Sequence, residues 1–332
     1  MSWTIGNYAL SQVQMNANAV EVYKYFSGRG WSLNAIAGIL GNMQSESYVN
    51  PGVWQSLNEG NYSGGFGLVQ WTPATNYTNW ATANGYSITD PNGQLYWIDT
   101  LSESTGQWIP TSSYNMSWVA FKTSGSSPED LASAFLKNFE RAGVEVESAR
   151  RSQARSFYNL LSQYDTNSKA IESAVQWAIG IANDNSHGYD QGSRWGPDYD
   201  CSSLLITAYQ QAGIKVKDAG ATYTGNMYAA FKSCGFQDVT GSVNLSSGSG
   251  VQRGDILLNV ASHTAMSIGN GQVVQASQNE NGGATGGATG DQTGQEIWCT
   301  SYYNFPWDYV LRLPGGSTGI TTSVYIVQWI PG

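Results

Sequence analysis

A chain of 332 residues with 41% hydrophobic content is long enough for two globular domains, each with its own core. A formal charge of −9, with only 12% charged residues, argues against nucleic acid, an anionic membrane surface and electrostatic capture by an anionic wall. Three scattered cysteines, two histidines and no Cys-x-x-Cys exclude a disulfide framework and point to neither metal nor cofactor, whereas 13 Trp, 20 Tyr and 39 Gly suit the reading of a neutral polar polymer such as a glycan.

Met1–Gly6 lacks the basic region and apolar core of a signal peptide, and no run approaches membrane-spanning length. The expectation is a protein made in the cytoplasm that reaches any outer target by another route. Leu10, Val13, Ala17, Val20 and Lys24 stand at helical spacing, and Ser27-Gly28-Arg29-Gly30 closes that helix. Ser32 caps a second helix with an apolar stripe of Ile36, Ile39, Leu40 and Met43. A Gly- and Asn-rich loop region follows, then helical patterns near 92–102, 128–140 and 145–162.

The second stripe continues to Glu46. A carboxylate on the buried side of a helix is either paired or has a raised pKa, and a raised pKa is what a general acid needs. A capping role or an arginine pair weighs equally on position alone. Glu140 flanks the stripe Leu131, Phe135, Leu136 and Phe139 and is the second-acid candidate, with Arg141 beside it as an equally weighted ion-pair partner. Asp90 and Asp99 are weaker. Among the aromatics Trp54, Trp71 and Tyr77 are candidates to stack on sugar, with Trp71 the one expected to do so, while Trp97, Trp118 and Trp177 fall within core patterns.

Tyr164-Asp165-Thr166-Asn167-Ser168 is short, polar and turn-forming, and is expected to separate a mainly helical domain, 1–164, from a second domain, 168–315. The second domain opens with a helix near 168–182. After the turn Gly196-Pro197-Asp198, Cys201 starts an amphipathic helix to about Gly213, where unpaired N–H groups and the macrodipole favour a thiolate. A further helix near 223–234 precedes strands from Gly254 onward, interrupted by the Gly-rich insert Asn281 to Gly294; helices followed by strands indicate an α+β domain. His263 begins one strand, and Val273–Ser277 pairs with it. An odd-length loop puts Gln275 on the His263 face; a two-residue Asn270-Gly271 turn puts Ala276 there instead. His187, in a polar loop, reads as solvated, and Cys234 and Cys299 as structural. Residues 316–332 read as a tail with a strand-like Val324–Val327, an edge strand or the start of a further segment.

Tyr199-Asp200-Cys201-Ser202-Ser203, Gly254-Asp255-Ile256-Leu257-Leu258 and His263 to Gly271 resemble the NlpC-type papain-like cysteine peptidases. The pattern continues through Gln275-Ala276-Ser277, Gly290-Asp291-Gln292-Thr293-Gly294 and Tyr302-Tyr303-Asn304 as in the bacteriophage peptidoglycan amidase branch, over nearly all of 170–313. The resemblance implies a papain-like α+β fold with an antiparallel sheet. It also implies Cys201 as nucleophile, His263 as base and Gln275 as orienting residue, where many relatives carry histidine. Tyr199, Asp200 and Ser202 are then implied to line the site and bind the polar end of a stem peptide. In the first half, Gly38 to Ser47, Asn50-Pro51 and Gly65-Phe66-Gly67-Leu68-Val69-Gln70-Trp71 resemble the lysozyme domains of phage tail proteins. That similarity implies Glu46 as catalytic acid, with Gln70 and Trp71 contacting sugar or positioning water.

Together the resemblances imply a bifunctional hydrolase of bacterial peptidoglycan, cutting both glycan strand and stem peptide, carried on a virion tail alongside other tail proteins. A lysis enzyme is the second reading. A wall-binding or tail-structural protein with a degenerate first half is the non-enzymatic one.

Overall fold

The computed structural model describes residues 3–141 and 146–315. The Ala142-Gly143 part of the Glu140 motif and the tail 316–332 lie outside the described residues. The chain divides into two compact units, Met1–Gln163 and Tyr164–Gly332.

The first unit is helical, and four of its helices start where serine accepts a free backbone N–H. Ser11 caps α1 (Gln12–Ser27) and Ser32 caps α2 (Leu33–Ser47). After α3 (Thr75–Ala83) and α4 (Pro91–Tyr96), Ser117 caps α5 (Trp118–Lys122) and Ser127 caps α6 (Pro128–Phe135). Both α4 and α6 run on into a π-helical turn, Trp97–Leu101 and Leu136–Glu140. The α1 stripe keeps Val20 of the spacing-based one, with Leu10 also buried ahead of the helix, but Val13 is 80% exposed, and the buried face also holds Met15, Ala19, Val22, Tyr23 and Phe26. The helix begins at Gln12, and its phase follows the large aromatic residues instead of Val13.

α2 is the central helix of the unit. Ile36, Ile39, Leu40 and Met43 are completely buried. Gly38 admits the backbone of α6, where an added Cβ would stand 2.9 Å from Leu131 Cβ and 3.0 Å from Ala132 N.

At 164–168 the expected turn is absent. A single helix, α7, spans Glu147–Ala182 without interruption. The polar run is tolerated because its buried members find partners, Asn167 Nδ2 donating to the Pro314 carbonyl and Ser168 Oγ to that of Tyr164, while Ile171, Ala174, Val175 and Ala178 follow as an apolar stripe.

The second unit packs α8 (Cys201–Gln211) and α9 (Thr224–Ser233) with a six-stranded antiparallel sheet. The strands are β1 (Gln237–Asp238), β2 (Ile256–Asn259), β3 (His263–Gly269), β4 (Gln272–Ala276), β5 (Ile297–Ser301) and β6 (Tyr309–Arg312), in the order β1-β6-β2-β3-β4-β5. Leu204, Leu205, Ala208 and Tyr209 of α8 share a core with Ile256, Met266, Val274 and Leu311 of the sheet. The insert between β4 and β5 is pinned by buried carboxylates: Asp198 Oδ1 accepts from Gly188 N and Gly290 N at 2.8 and 3.0 Å. Among the described residues no helix is long and apolar enough to cross a membrane.

The β3–β4 hairpin resolves the register question in an unexpected way. Gly269 pairs with Gln272 across Asn270-Gly271, whose φ angles of 53° and 70° are the left-handed pair a type I′ turn requires. The register then shifts between Ser267 and Gly269, so that Ser267 opposes Val273 and Met266 opposes Val274. One bulged residue after a two-residue turn reverses the facing of everything beyond it, and Gln275 lies on the His263 face.

Candidate active sites

In the first unit a cleft of about 760 Å³ is lined by Glu46, Gln70, Trp71, Gln107 and Glu140, among others. Glu46 stands in the last turn of α2, on the continuation of the apolar stripe. Arg150 Nη2 of α7 donates to Glu46 Oε1 at 2.6 Å, and Arg150 Nη1 donates to Asn42 Oδ1 at 3.1 Å. Asn42 is fixed in turn by donating to the carbonyls of Gly38 and Ala132. Gly41 makes the pairing possible: a Cβ there would stand 2.8 Å from Ala154 N and overlap the carbonyl of Arg150. The arginine is legible in retrospect, because Ala154, Phe157 and Leu161 form a buried stripe whose preceding position is Arg150.

Glu140 ends the π-helical turn. Its Oε1 is sealed from solvent and has no hydrogen-bond partner. Burial pushes its carboxyl well above the usual range, the Glu46 charge adds to that, and Arg150 and Arg141 oppose it. No ion pair joins Arg141 to Glu140. Arg141 Nη1 is spent on the carbonyls of Gln107 and Asn138, at 2.5 and 2.8 Å. The two carboxyls of the cleft thus differ in kind: one is held by a cation, the other has one oxygen, Oε1, sealed without a hydrogen-bond partner.

Gln70 and Trp71 form part of the wall, each differently from a simple sugar contact. Gln70 Nε2 donates to the carbonyls of Val53 and Gly67, both at 3.1 Å, so its amide donors hold the loop. Trp71 is buried, with one ring face stacked on Tyr77 at a centroid distance of 4.5 Å; its Nε1 lacks a hydrogen-bond partner. Asp90 caps α4, and Asp99 pairs with Lys122 at 3.0 Å and accepts from Trp31 Nε1; neither lines the cleft. Tyr48, Ser56, Gln70 and Arg141, all on the cleft wall, have φ between 46° and 58°. Non-glycine residues adopt this region at a cost, and here they gather at one site.

In the second unit, Asp200 is the N-cap of α8 and Cys201 its first residue. Asp200 Oδ1 accepts from Ser203 N at 2.7 Å and from Ser202 Oγ at 3.0 Å. Arg194 pairs with Asp200 at 2.7 Å and donates to Ser202 Oγ at 2.5 Å. Asp200 and Ser202 are therefore engaged internally, and Tyr199 is a core residue packed edge-on to Trp177. The thiol departs from the expected thiolate. Burial and the adjacent Asp200 charge push Cys201 up to about 11, against weaker help from the backbone N–H groups of Thr264 and Ser202 and from Arg194. Burial is the larger cause, and the anionic cap opposes the helix-end field that would otherwise lower it.

The hydrogen bond from Thr264 places Cys201 beside the start of β3, where His263 stands. His263 Nε2 is 2.9 Å from Gln275 Oε1 and 3.1 Å from Tyr303 Oη, and Tyr303 Oη donates to Gln275 Oε1. Those contacts engage Nε2 and leave Nδ1 as the ring's other nitrogen. Burial lowers the His263 pKa below its ordinary value, with the Gln275 contact opposing. The ring lies against Phe305 and Trp307. His187 is held in its loop, with Nδ1 2.6 Å from the Pro197 carbonyl. Tyr189, which sequence reasoning passed over, is buried, which raises its phenol, and a thiolate at Cys201 would raise it further; Gln191 donates to its oxygen, so the O–H remains to donate. No local pattern marks it, and Tyr303 stands in the Tyr302-Tyr303-Asn304 stretch of the resemblance without an assigned role.

Residues 17–161 match the family described as phage tail lysozyme, and residues 196–274 and 273–324 match that described as endolysin-like domain. Over 156 residues the chain is 44% identical to Morphogenesis protein 1 of Bacillus phage B103, covering 47% of this chain and 42% of that one. The chain thus spans less than half the length of this relative.

Proposed function

From these similarities as premise, we propose that the chain is a virion-associated phage hydrolase of bacterial peptidoglycan with two active sites. Two dissimilar reactive sets, one on each compact unit, suit the two kinds of bond in one polymer, and this pairing carries the reading. The phage tail lysozyme similarity supports glycan cleavage in the first unit. The endolysin-like similarity supports wall hydrolysis by the second. The name of the phage relative favours a role in the particle, while a lysis role is the second reading that the endolysin-like match favours.

In the glycan cleft Glu46 and Glu140 act together. A glycosidase needs one protonated carboxyl to release the leaving oxygen and one carboxylate to assist on the sugar side. Glu46 is the acid assigned by resemblance. The burial of Glu140 makes it the store of the proton that Glu46 delivers, with Arg150 as the cation beside Glu46.

In the second unit, a papain-like NlpC-type amidase or endopeptidase acts on the stem peptide. His263 Nδ1 takes the Cys201 proton as sulfur attacks the amide carbonyl, and Gln275 accepts from Nε2–H of the imidazolium. Backbone N–H groups at the start of α8 and the Tyr189 hydroxyl face the developing oxyanion. The proton then passes to the leaving amine, and water hydrolyses the thioester. Tyr199, Asp200 and Ser202 shape this site, in our reading, through the Arg194-centred network instead of by binding peptide directly.

Mass spectrometry of fragments from purified Gram-positive peptidoglycan tests the proposal, with wild type beside Cys201→Ala and Glu46→Gln. Each variant is expected to lose a different product class. Full retention of sugar-cleaved fragments by Glu46→Gln removes the acid assignment, and retention of peptide-cleaved fragments by Cys201→Ala removes the nucleophile.

A further inference from the structure

Glutamine is a weak orienting partner for a catalytic imidazole. It is neutral, and its amide can turn to present either an acceptor or a donor. An imidazole that is to act as base at Nδ1 must carry its hydrogen on Nε2, so Gln275 must present oxygen. In this molecule a third side chain joins the pair. Tyr303, which follows β5, places its hydroxyl 3.1 Å from His263 Nε2 and donates to Gln275 Oε1. Its ring is held edge-on to Phe305 and tilted to Trp307, so the hydroxyl reaches the pair from a packed base.

We propose that Tyr303 is a positioning residue of the cysteine site: its O–H holds Gln275 with oxygen toward His263, and its oxygen gives Nε2–H a second acceptor. The inference rests on the cysteine-hydrolase reading above. The closed triangle of contacts makes Nε2 the protonated nitrogen and leaves Nδ1 unprotonated for Cys201. Once the imidazole has taken the thiol proton, the same two oxygens face the cation. A neutral glutamine thereby gains, from a tyrosine 28 residues further along the chain, an orientation that a charged partner would have by itself.

Tyr303→Phe removes only the hydroxyl and keeps the ring packing. With a soluble muropeptide substrate, kcat is expected to fall about tenfold, as for loss of one oriented hydrogen bond, with KM unchanged. The acid limb of the pH profile should move to lower pH, because removing an acceptor from Nε2–H destabilises the imidazolium. Gln275→Ala in the Tyr303→Phe background should cost less than in wild type. A second readout needs no turnover. The chain has two histidines, and His187, facing a carbonyl through Nδ1, must carry its hydrogen there, so nitrogen NMR of the neutral protein should show opposite tautomers. In Tyr303→Phe the His263 signal should become a tautomer mixture while His187 is unchanged. Wild-type kcat and an unmoved tautomer overturn the proposal, and so does a loss confined to KM. If wild type cuts no peptide bond, the NMR comparison still decides: a shifted His263 tautomer supports the role, and an unshifted one ends it.

Discussion

Arg150 Nη2 lies 2.6 Å from Glu46 Oε1, and the arginine is the more deeply buried of the two, with side-chain exposures of 9% and 19%. The carboxylate of the cleft is therefore held by a cation that itself has little water to fall back on. Breaking such a pair by removing one partner costs about 3–5 kcal/mol, because a buried charge is left alone. Arg150→Met should lower the thermal transition and, by leaving Glu46 uncompensated beside Glu140, reduce glycan cleavage at least ~100-fold, on the scale of a lost acid–base group. Paired scanning calorimetry and turbidity assays check both. Unchanged glycan cleavage in a folded Arg150→Met protein would show that the pair plays no part in the chemistry.

Glu140 allows stability and chemistry to be separated. Its folded pKa is raised above the unfolded value, so its contribution to stability is fully present below the unfolded pKa and is lost as pH rises through the folded one. Glutamine copies the neutral carboxyl without titrating. Glu140→Gln should therefore match wild type in acid and gain on it as pH rises, while glycan cleavage falls by roughly 10²–10⁴-fold if Glu140 holds the transferred proton. Urea unfolding at several pH values reads the first effect and reducing-sugar release the second. Stability curves that stay parallel across pH would contradict the buried-acid assignment.

Gly41 connects packing to the cleft. Its missing side chain lets α2 approach Arg150 and Ala154 of α7, and any Cβ must push the helices apart. Gly41→Ala raises helix propensity yet should destabilise the first unit by about 1–3 kcal/mol through overpacking. Because the displaced residue is Arg150, glycan cleavage should fall with it while the cysteine site keeps its activity. A stabilised, fully active variant would show that the helices can separate without cost.

Local chemistry made much of this molecule legible from sequence. Serine caps, the Ile36–Ile39–Met43 stripe ending on Glu46, and the cysteine at a helix start all act within a few residues and were readable. What was hidden depends on distant partners. Whether the polar run at 164–168 turns or stays helical is decided by the apolar residues that follow it, such as Ile171 and Ala174. The side of the sheet that Gln275 faces hinged on one bulged residue that no composition marks. The thiol departs from the helix-end expectation for reasons that lie outside its local motif: burial raises it most, and the capping Asp200 sets a negative charge against the positive end of the helix that would otherwise favour thiolate.

Arg194 partly offsets that cap. It pairs with Asp200 at 2.7 Å and helps lower the Cys201 pKa. Arg194→Ala should leave the Asp200 charge unopposed and raise the thiol further above about 11, slowing alkylation of Cys201 at pH 8. Asp200→Asn keeps a helix cap and removes the charge, so alkylation should accelerate. Peptide-level mass spectrometry separates Cys201 from Cys234 and Cys299. Equal rates in all three proteins would mean that access, and not charge, controls the thiol.

The resting state of the cysteine site fixes the shape of its pH profile. Burial holds His263 below 6.5 and Cys201 near 11, so around neutrality the pair is imidazole and thiol, not imidazolium and thiolate. Attack then requires neutral His263, and activity should rise with pH through a midpoint below 6.5. No alkaline fall is expected through the ordinary imidazole range, because losing that proton creates the base instead of destroying it. A preformed ion pair would behave oppositely: its rate would fall as the imidazolium deprotonated, giving a bell. Profiles of kcat/KM on a soluble muropeptide, with Cys201→Ala as blank, distinguish the two. A bell centred near neutrality would place the proton on His263 in the resting enzyme and overturn the neutral-pair mechanism.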